Sequence, residues 1–260
     1  MIITSTSNDK IKDIKKLIKS AKERRERKLY VVEGIRMFKE IPYDLIEGIY
    51  VSESGWLKYK DDIERHELEP CVVSDKVFLD MSDTATPQGI MALVRYDDNS
   101  LTGLLSKKEN PFVLITETIQ DPGNMGTIIR TAEGAGADFI IVSKDSVDIY
   151  NPKTIRSTMG SIFRVPVYVS SDLEQDIELL KQKGVSIYAA HLNGDNFYNM
   201  DYRKGCGFLI GNEGNVLSEK ISQKADKLIK IPMLGKVESL NAAMSTTIIS
   251  YEVLRQRNFN

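Results

Sequence analysis

Cysteine is nearly missing from this 260-residue chain. Cys71 and Cys206 are the only two and lie far apart, which excludes a disulfide framework. Histidine is as scarce: His66 and His191 are scattered among them, so no zinc-type spacing exists. His66-Glu67-Leu68-Glu69 lacks the second histidine of a zincin motif, and no metal is expected. No apolar run approaches the roughly 20 residues that cross a bilayer. The N-terminus, MIITSTSNDKIKDIKK, has no apolar stretch ahead of its charges, which argues against a secretory signal and predicts a cytoplasmic protein. Nucleotide fingerprints are missing too. No Walker A lysine follows a glycine loop, and Gly134-Ala135-Gly136-Ala137-Asp138 is not G-x-G-x-x-G, so neither a P-loop enzyme nor a Rossmann dehydrogenase is expected.

What is present fits a soluble chain of two domains, at roughly 100–200 residues each. Hydrophobic residues make up 42% and charged residues 28%, too apolar a mixture for a disordered chain. The net charge of −2 is unevenly spread. From Lys10 to Lys28 ten Lys and Arg face three acids, a local +7 that leaves −9 for the rest. Such a stripe can hold phosphates while the whole protein stays soluble. The candidate nucleic-acid phosphate contacts in it are Lys16, Lys19, Arg24, Arg25, Arg27 and Lys28. In the same stretch Ile11, Ile14, Leu17, Ile18 and Ala21 mark one apolar helix face.

Beyond it, helical and strand patterns alternate. Strands are expected at 29–33, 48–51, 71–73 and 90–95, with helices between them, as one compact α/β unit. Residues 97–110, DDNSLTGLLSKKEN, read as a linker closed by Pro111. Fully apolar strands are expected at 112–116, 139–142, 165–169, 185–190, 207–210 and 228–231, alternating with helices. That pattern predicts a mainly parallel sheet covered on both faces. A final helix, 240–257, carries Leu240, Met244, Ile248, Tyr251 and Leu254 on one stripe. The predicted division is a first domain at 1–96, the linker at 97–110 and a second domain at 111–260.

In parallel sheets ligands bind at loops beyond the carboxyl ends of strands. Three such loops are rich in glycine and asparagine. Asp121-Pro122-Gly123-Asn124-Met125-Gly126 runs into Arg130. Gly211-Asn212-Glu213-Gly214-Asn215 follows a buried strand. Ile231-Pro232-Met233 leads through Gly235 to Glu238-Ser239-Leu240-Asn241 at the start of the last helix. Glycines let backbone approach a ligand, and the first loop opens a helix whose free N–H groups suit an anion. Ser239 or Asn241 also suits a helix N-cap.

Taken together, these three segments resemble the motifs of the SpoU/TrmH branch of the SPOUT RNA methyltransferases, from Phe112 to Arg255. Ser157-Thr158-Met159-Gly160-Ser161-Ile162-Phe163-Arg164-Val165-Pro166 is similar to a further stretch of that family. The first half, through Val32-Glu33-Gly34 and Thr86-Pro87-Gln88-Gly89-Ile90, resembles a ribosomal-protein-like RNA-binding domain fused to these enzymes. The resemblance implies an α/β fold with a C-terminal trefoil knot, a homodimer with the last helix at its interface, and S-adenosylmethionine as cofactor. It implies cofactor contacts from Gly211, Ile231, Met233 and Leu240, with Ala190 and His191 near the adenine. It implies methylation of an RNA ribose 2′-hydroxyl, ribosomal RNA being favoured over transfer RNA. Arg130, Asn124, Glu213, Ser239 and Asn241 would form the catalytic set. Arg156 and Arg164 would add phosphate contacts or form surface ion pairs. Tyr30, Phe38 and Trp56 would pack in the core or stack on bases. Val216 stands where the family often has a glycine, which predicts a differently shaped second loop, since a β-branched residue avoids positive φ. The competing readings are a transfer RNA methyltransferase, acting on a base with the same knot, and a non-catalytic RNA-binding protein of the same fold.

Overall fold

The computed structural model describes residues 2–212, 217–237 and 239–259. The chain divides into two compact units. One holds Met1–Asp97 with Asp148–Phe163, the other Asp98–Val147 with Arg164–Asn260.

The first unit opens with α1 (Asp9–Lys19), which buries Ile11, Ile14 and Leu17. The expected single helix breaks at Ser20, whose backbone is extended (φ −118°, ψ 113°) and whose side chain accepts the Glu23 N–H at 3.3 Å. Serine is a strong N-cap, and it starts a second helix, α2 (Ala21–Arg27). β1 (Leu29–Glu33), α3 (Ile35–Phe38), β2 (Ile46–Ser52), α4 (Glu53–Ile63), β3 (Cys71–Val73), α5 (Asp75–Met81) and β4 (Ile90–Arg95) follow. The sheet order is β1-β4-β2-β3, with β4 antiparallel to both its neighbours and β2 parallel to β3. Ile11, Ile14, Leu17, Val31, Val77 and Phe78 share its core.

The second unit begins inside the expected linker. Ser100 caps α6 (Leu101–Leu105), and Leu101, Leu104 and Leu105 sit in the core of the larger sheet. β5 (Phe112–Thr116), α7 (Pro122–Gly134) and β6 (Phe139–Ser143) come next. Residues 148–163, expected within the catalytic domain, belong to the first unit and carry α8 (Pro152–Thr158). Their anchor is Arg24, which reaches Asp148 at 2.7 Å, while Arg156 pairs with Asp83 at 3.1 Å and Tyr150 stacks on Tyr96 at 3.9 Å.

The chain returns to the second unit with β7 (Val167–Ser170), α9 (Leu173–Gln182), β8 (Ser186–Asn196), β9 (Cys206–Ile210), α10 (Glu219–Ser222), β10 (Lys227–Lys230) and α11 (Ala242–Asn258). All six strands are parallel, in the order β10-β8-β9-β5-β6-β7. Of the apolar stripe on α11, Met244 and Tyr251 are 61% and 50% accessible. The opposite side of the helix does the packing. Ala243, Thr246 and Ile249 are buried, and Thr247 shares a hydroxyl hydrogen bond of 2.9 Å with Thr131 of α7. Among the described residues no helix is long and apolar enough to cross a membrane.

Candidate active site

Parallel strands put their carboxyl ends on one edge, where β8 and the loops leaving β9 and β10 line a cavity of about 300 Å³. Ala190 and His191 of β8 line it, with Gly211 after β9 and Ile231, Met233, Ser239 and Leu240 after β10. Leu192, Lys230 and Ser245 also line it and were not anticipated. Ser245 stands one helical turn beyond Asn241, a spacing that would have revealed it.

The β8 wall has a local cause. The β8–β10 register runs Tyr188↔Lys227 and Ala189↔Leu228, then jumps to Asp195↔Ile229. The ladder therefore passes over residues 190–194, which bow out to form the cavity wall. The bow closes at Gly194, where a Cβ would lie 2.5 Å from the Ile229 backbone. Within the bow, His191 Nδ1 accepts the Asn193 N–H at 3.1 Å.

The first loop is braced from the β6 side. The Thr118 N–H donates to Ser143 Oγ at 2.9 Å and the Ile119 N–H to Ser146 Oγ at 3.2 Å. The Gln120 amide donates to Asp145 O at 2.7 Å. These bonds hold Thr118 at φ 55°, a left-handed conformation that a β-branched residue seldom takes. Asp121 then caps α7 by accepting the Asn124 N–H at 2.8 Å, with Pro122 in the first turn.

Asn124 and Asn241 meet directly: Asn241 Nδ2 donates to Asn124 Oδ1 at 3.0 Å. Asn241 Oδ1 meanwhile caps α11, accepting the N–H groups of Ala243 and Met244 at 2.9 and 3.3 Å. The cap is thus Asn241, while Ser239 faces the cavity. Arg130 lies two turns along α7 and is exposed, with no ion pair to any described residue. Glu213 and Val216 lie outside the described residues.

In the first unit the basic stretch divides. Lys16, Lys19, Arg25, Arg27 and Lys28 are exposed. Arg24 is not a surface cation: it is 2% exposed, and besides Asp148 its guanidinium donates to Leu17 O and Ile18 O at 2.6 and 2.9 Å. It closes the carboxyl end of α1, which removes it from the expected RNA contacts. Arg156 and Arg164 form ion pairs, with Asp83 and Glu133, each at 3.1 Å. Tyr30 and Phe38 are core residues, and Trp56 is half-buried.

Comparison with known proteins agrees with this geometry. The SpoU rRNA Methylase family model matches residues 111–251, and an MRM3-like substrate binding domain matches residues 8–92. The chain is 32% identical over 254 residues to the 23S rRNA (guanosine(2553)-2'-O)-methyltransferase RlmP of Bacillus subtilis (strain 168), covering 96% of this chain and 98% of RlmP. Its fold is similar to an AdoMet-bound rRNA methyltransferase from Sinorhizobium meliloti, with a TM-score of 0.87, 28% identity and coverage of 100% and 99% of the two chains. It is also similar to the SpoU methyltransferase AviRb from Streptomyces viridochromogenes, with a TM-score of 0.85, 25% identity and coverage of 96% and 98%. A parallel sheet whose strand-end loops enclose one cavity, joined through Asn124 and Asn241 to the helix of Arg130, therefore comes with sequence matches over both halves, and the chain belongs to the SpoU rRNA methylase family.

Proposed function

We propose that the protein transfers the methyl group of S-adenosylmethionine to a ribose 2′-hydroxyl of ribosomal RNA. The observation that carries this is the Asn124–Asn241 bond, which ties the rim of the strand-end cavity to the helix that presents Arg130.

The cavity suits the cofactor. Ile210, Leu217, Ile229 and Ile249 offer an apolar wall for a purine, and Ser239, Ser245 and Asn212 offer polar groups at its margin. Gly211, Ile231, Met233 and Leu240 would hold the cofactor largely through backbone, with Ala190 and His191 beside the adenine. When bound, S-adenosylmethionine supplies an electrophilic sulfonium methyl. The chain's task is to place the hydroxyl oxygen in line and to stabilise the negative charge that grows on it. An arginine side chain keeps its proton at neutral pH. Arg130 therefore acts as a charge-assisted donor to an RNA phosphate and to the developing alkoxide. A phosphate oxygen is then the acceptor for the hydroxyl proton. Asn124, held by Asn241, orients the ribose or Arg130. Glu213 and Ser239 complete the catalytic set.

The exposed cations Lys16, Lys19, Arg25, Arg27 and Lys28 would hold RNA phosphates, which gives residues 1–96 the substrate-binding role and 111–260 the catalytic one. The likeness to solved SpoU chains supports a trefoil-knotted C-terminal part. The exposed Met244 and Tyr251 on α11 support a homodimer through that helix. A ribosomal RNA substrate would support a cytoplasmic location.

The test is incubation with methyl-labelled S-adenosylmethionine and unmodified ribosomal and transfer RNAs, followed by digestion to nucleosides. A labelled 2′-O-methyl nucleoside from ribosomal RNA is the expected result, and the nucleotide equivalent to the one in RlmP's name is the first position to map. Label in transfer RNA alone would move the substrate class. Label on a base would overturn the ribose assignment.

A further inference from the structure

The loop between β9 and α10 places Gly211, Asn212 and Leu217 on the cavity wall, and its two ends converge on one residue. Glu117 stands just past the end of β5. Its backbone N–H donates to Ile210 O at 2.9 Å, at the start of the loop. Its carboxylate takes the far end: Oε2 accepts the Ser218 N–H at 2.7 Å and Oε1 the Ser218 hydroxyl at 2.6 Å. One acid thus fixes residues 210 and 218 across the neighbouring parallel strands β5 and β9. Ser218 passes the restraint on in both directions. Its hydroxyl accepts the Ile221 N–H at 3.3 Å and caps α10, and its neighbour Leu217 is 6% exposed and lines the cavity. Glu117 itself does not line the cavity.

We propose that Glu117 is a positioning residue for the cofactor: it clasps the ends of the 211–217 loop and presets the wall that receives S-adenosylmethionine. The proposal rests on reading that cavity as the cofactor site. Charge-assisted bonds to both donors of Ser218 hold it and its neighbour Leu217 before the ligand arrives, so less ordering remains for binding to supply. Glu117 acts through Gly211 and Leu217, not on the reacting atoms. Its effect therefore falls on cofactor affinity, and the methyl-transfer step is spared.

The test is calorimetric titration of the full-length protein with S-adenosylhomocysteine, beside steady-state kinetics and thermal unfolding. In Glu117→Ala the Kd for S-adenosylhomocysteine and the KM for S-adenosylmethionine rise about tenfold, the scale of one lost hydrogen bond to a charged group. kcat at saturating cofactor and RNA affinity stay within about threefold. Glu117→Gln, which keeps an acceptor for the Ser218 N–H, restores most of the affinity. Should Glu117→Ala fail to fold, Ser218→Ala removes the hydroxyl contact from the other side and gives a smaller shift in the same direction. Wild-type protein that binds no S-adenosylhomocysteine removes the reading of the cavity. Wild-type binding with Glu117→Ala inside twofold of it removes the clasp alone, as does a parallel fall in RNA and cofactor affinity.

Discussion

Asn241 uses both ends of one amide: its oxygen caps α11 and its nitrogen donates to Asn124 Oδ1 at 3.0 Å, between residues 117 positions apart. The two roles separate by substitution. Asn241→Asp keeps the capping oxygen but loses the donor and sets a carboxylate against Asn124 Oδ1. Its melting temperature should stay near wild type while kcat falls at least about tenfold, the worth of a hydrogen bond lost beside a new repulsion. Asn241→Ala should lose both, with about 1 kcal/mol of stability gone with the cap. Equal stability losses in the two variants would refute the division of labour.

Arg130 is exposed and pairs with no described residue, so its removal costs the fold little. Arg130→Ala should change stability by no more than about 0.5 kcal/mol. Methyl transfer should fall by about 10²–10³, the usual loss of a donor aimed at developing negative charge. Arg130→Lys should not restore it, because an ammonium cannot donate in a planar fork to two oxygens. Single-turnover rates at saturating RNA and cofactor read this directly, and turnover retained in the alanine variant would remove Arg130 from the mechanism.

How far the sequence foretold these features depends on how local their causes are. The strands Leu29–Glu33, Cys71–Val73, Ile90–Arg95 and Phe112–Thr116 fall where their apolar runs predict them, since each run is bounded by polar or turn residues. The loops after β9 and β10 were legible because ligand loops at parallel strand ends follow from strand order, whereas Ala190 and His191 came from the family resemblance and Leu192, Lys230 and Ser245 from neither. α6 was hidden because its Leu101, Leu104 and Leu105 spacing is one turn long and holds Gly103. The membership of residues 148–163 in the first unit was not legible, because local pattern does not say which core a helix joins. The α11 stripe was legible as an apolar face, but pattern alone did not show that the helix packs in its own unit through Ala243, Thr246 and Ile249 and meets Thr131 through Thr247.

Arg24 and Arg25 are neighbours with opposite fates, which no charge count distinguishes. Arg24 is buried on Asp148 and two helix carbonyls, and Arg25 is exposed. Arg24→Met should destabilise by about 3–5 kcal/mol, because Asp148 is left charged and unpaired. Adding Asp148→Asn should recover part of that loss. Arg25→Ala should leave stability within about 0.5 kcal/mol but weaken RNA binding and lower its salt dependence by about one phosphate contact. Urea unfolding and filter binding at several salt concentrations check both, and a stable Arg24→Met with weakened RNA binding would reverse the assignment.

Cys206 is buried at the start of β9, and desolvation pushes its thiol up to about 12 despite the Arg257 guanidinium 3.4 Å away. A raised folded value means that the unfolded chain loses its proton first. The corresponding stability is complete below the unfolded thiol range of about 8.5 and is lost as pH climbs from there toward the folded value. Buried tyrosines add to the same trend: Tyr30 and Tyr202 are raised chiefly by desolvation. Urea midpoints should therefore fall between pH 8 and pH 10.5, and a thiol reagent at pH 8 should modify Cys71 in the native protein while Cys206 reacts only on unfolding. Fast native labelling of two thiols would contradict the burial of Cys206.

Gly194 makes the sharpest link between backbone and cavity. Its missing side chain lets β8 regain β10 after the bow at 190–194, and an added Cβ would sit 2.5 Å from Ile229 N and C and 2.6 Å from its Cα. Those are backbone atoms of a paired strand, so the clash cannot be relieved by turning a side chain. Gly194→Ala should cost about 1–3 kcal/mol, the range for forced overpacking. Because Ala190, His191 and Leu192 ride on the displaced segment, S-adenosylhomocysteine affinity should fall with it, while Gly184→Ala, with no atom near its Cβ, strains only its own turn at φ 78°. Calorimetry on both variants, compared at equal fraction folded, separates the two. A Gly194→Ala protein that binds like wild type would show that the bow does not shape the cavity.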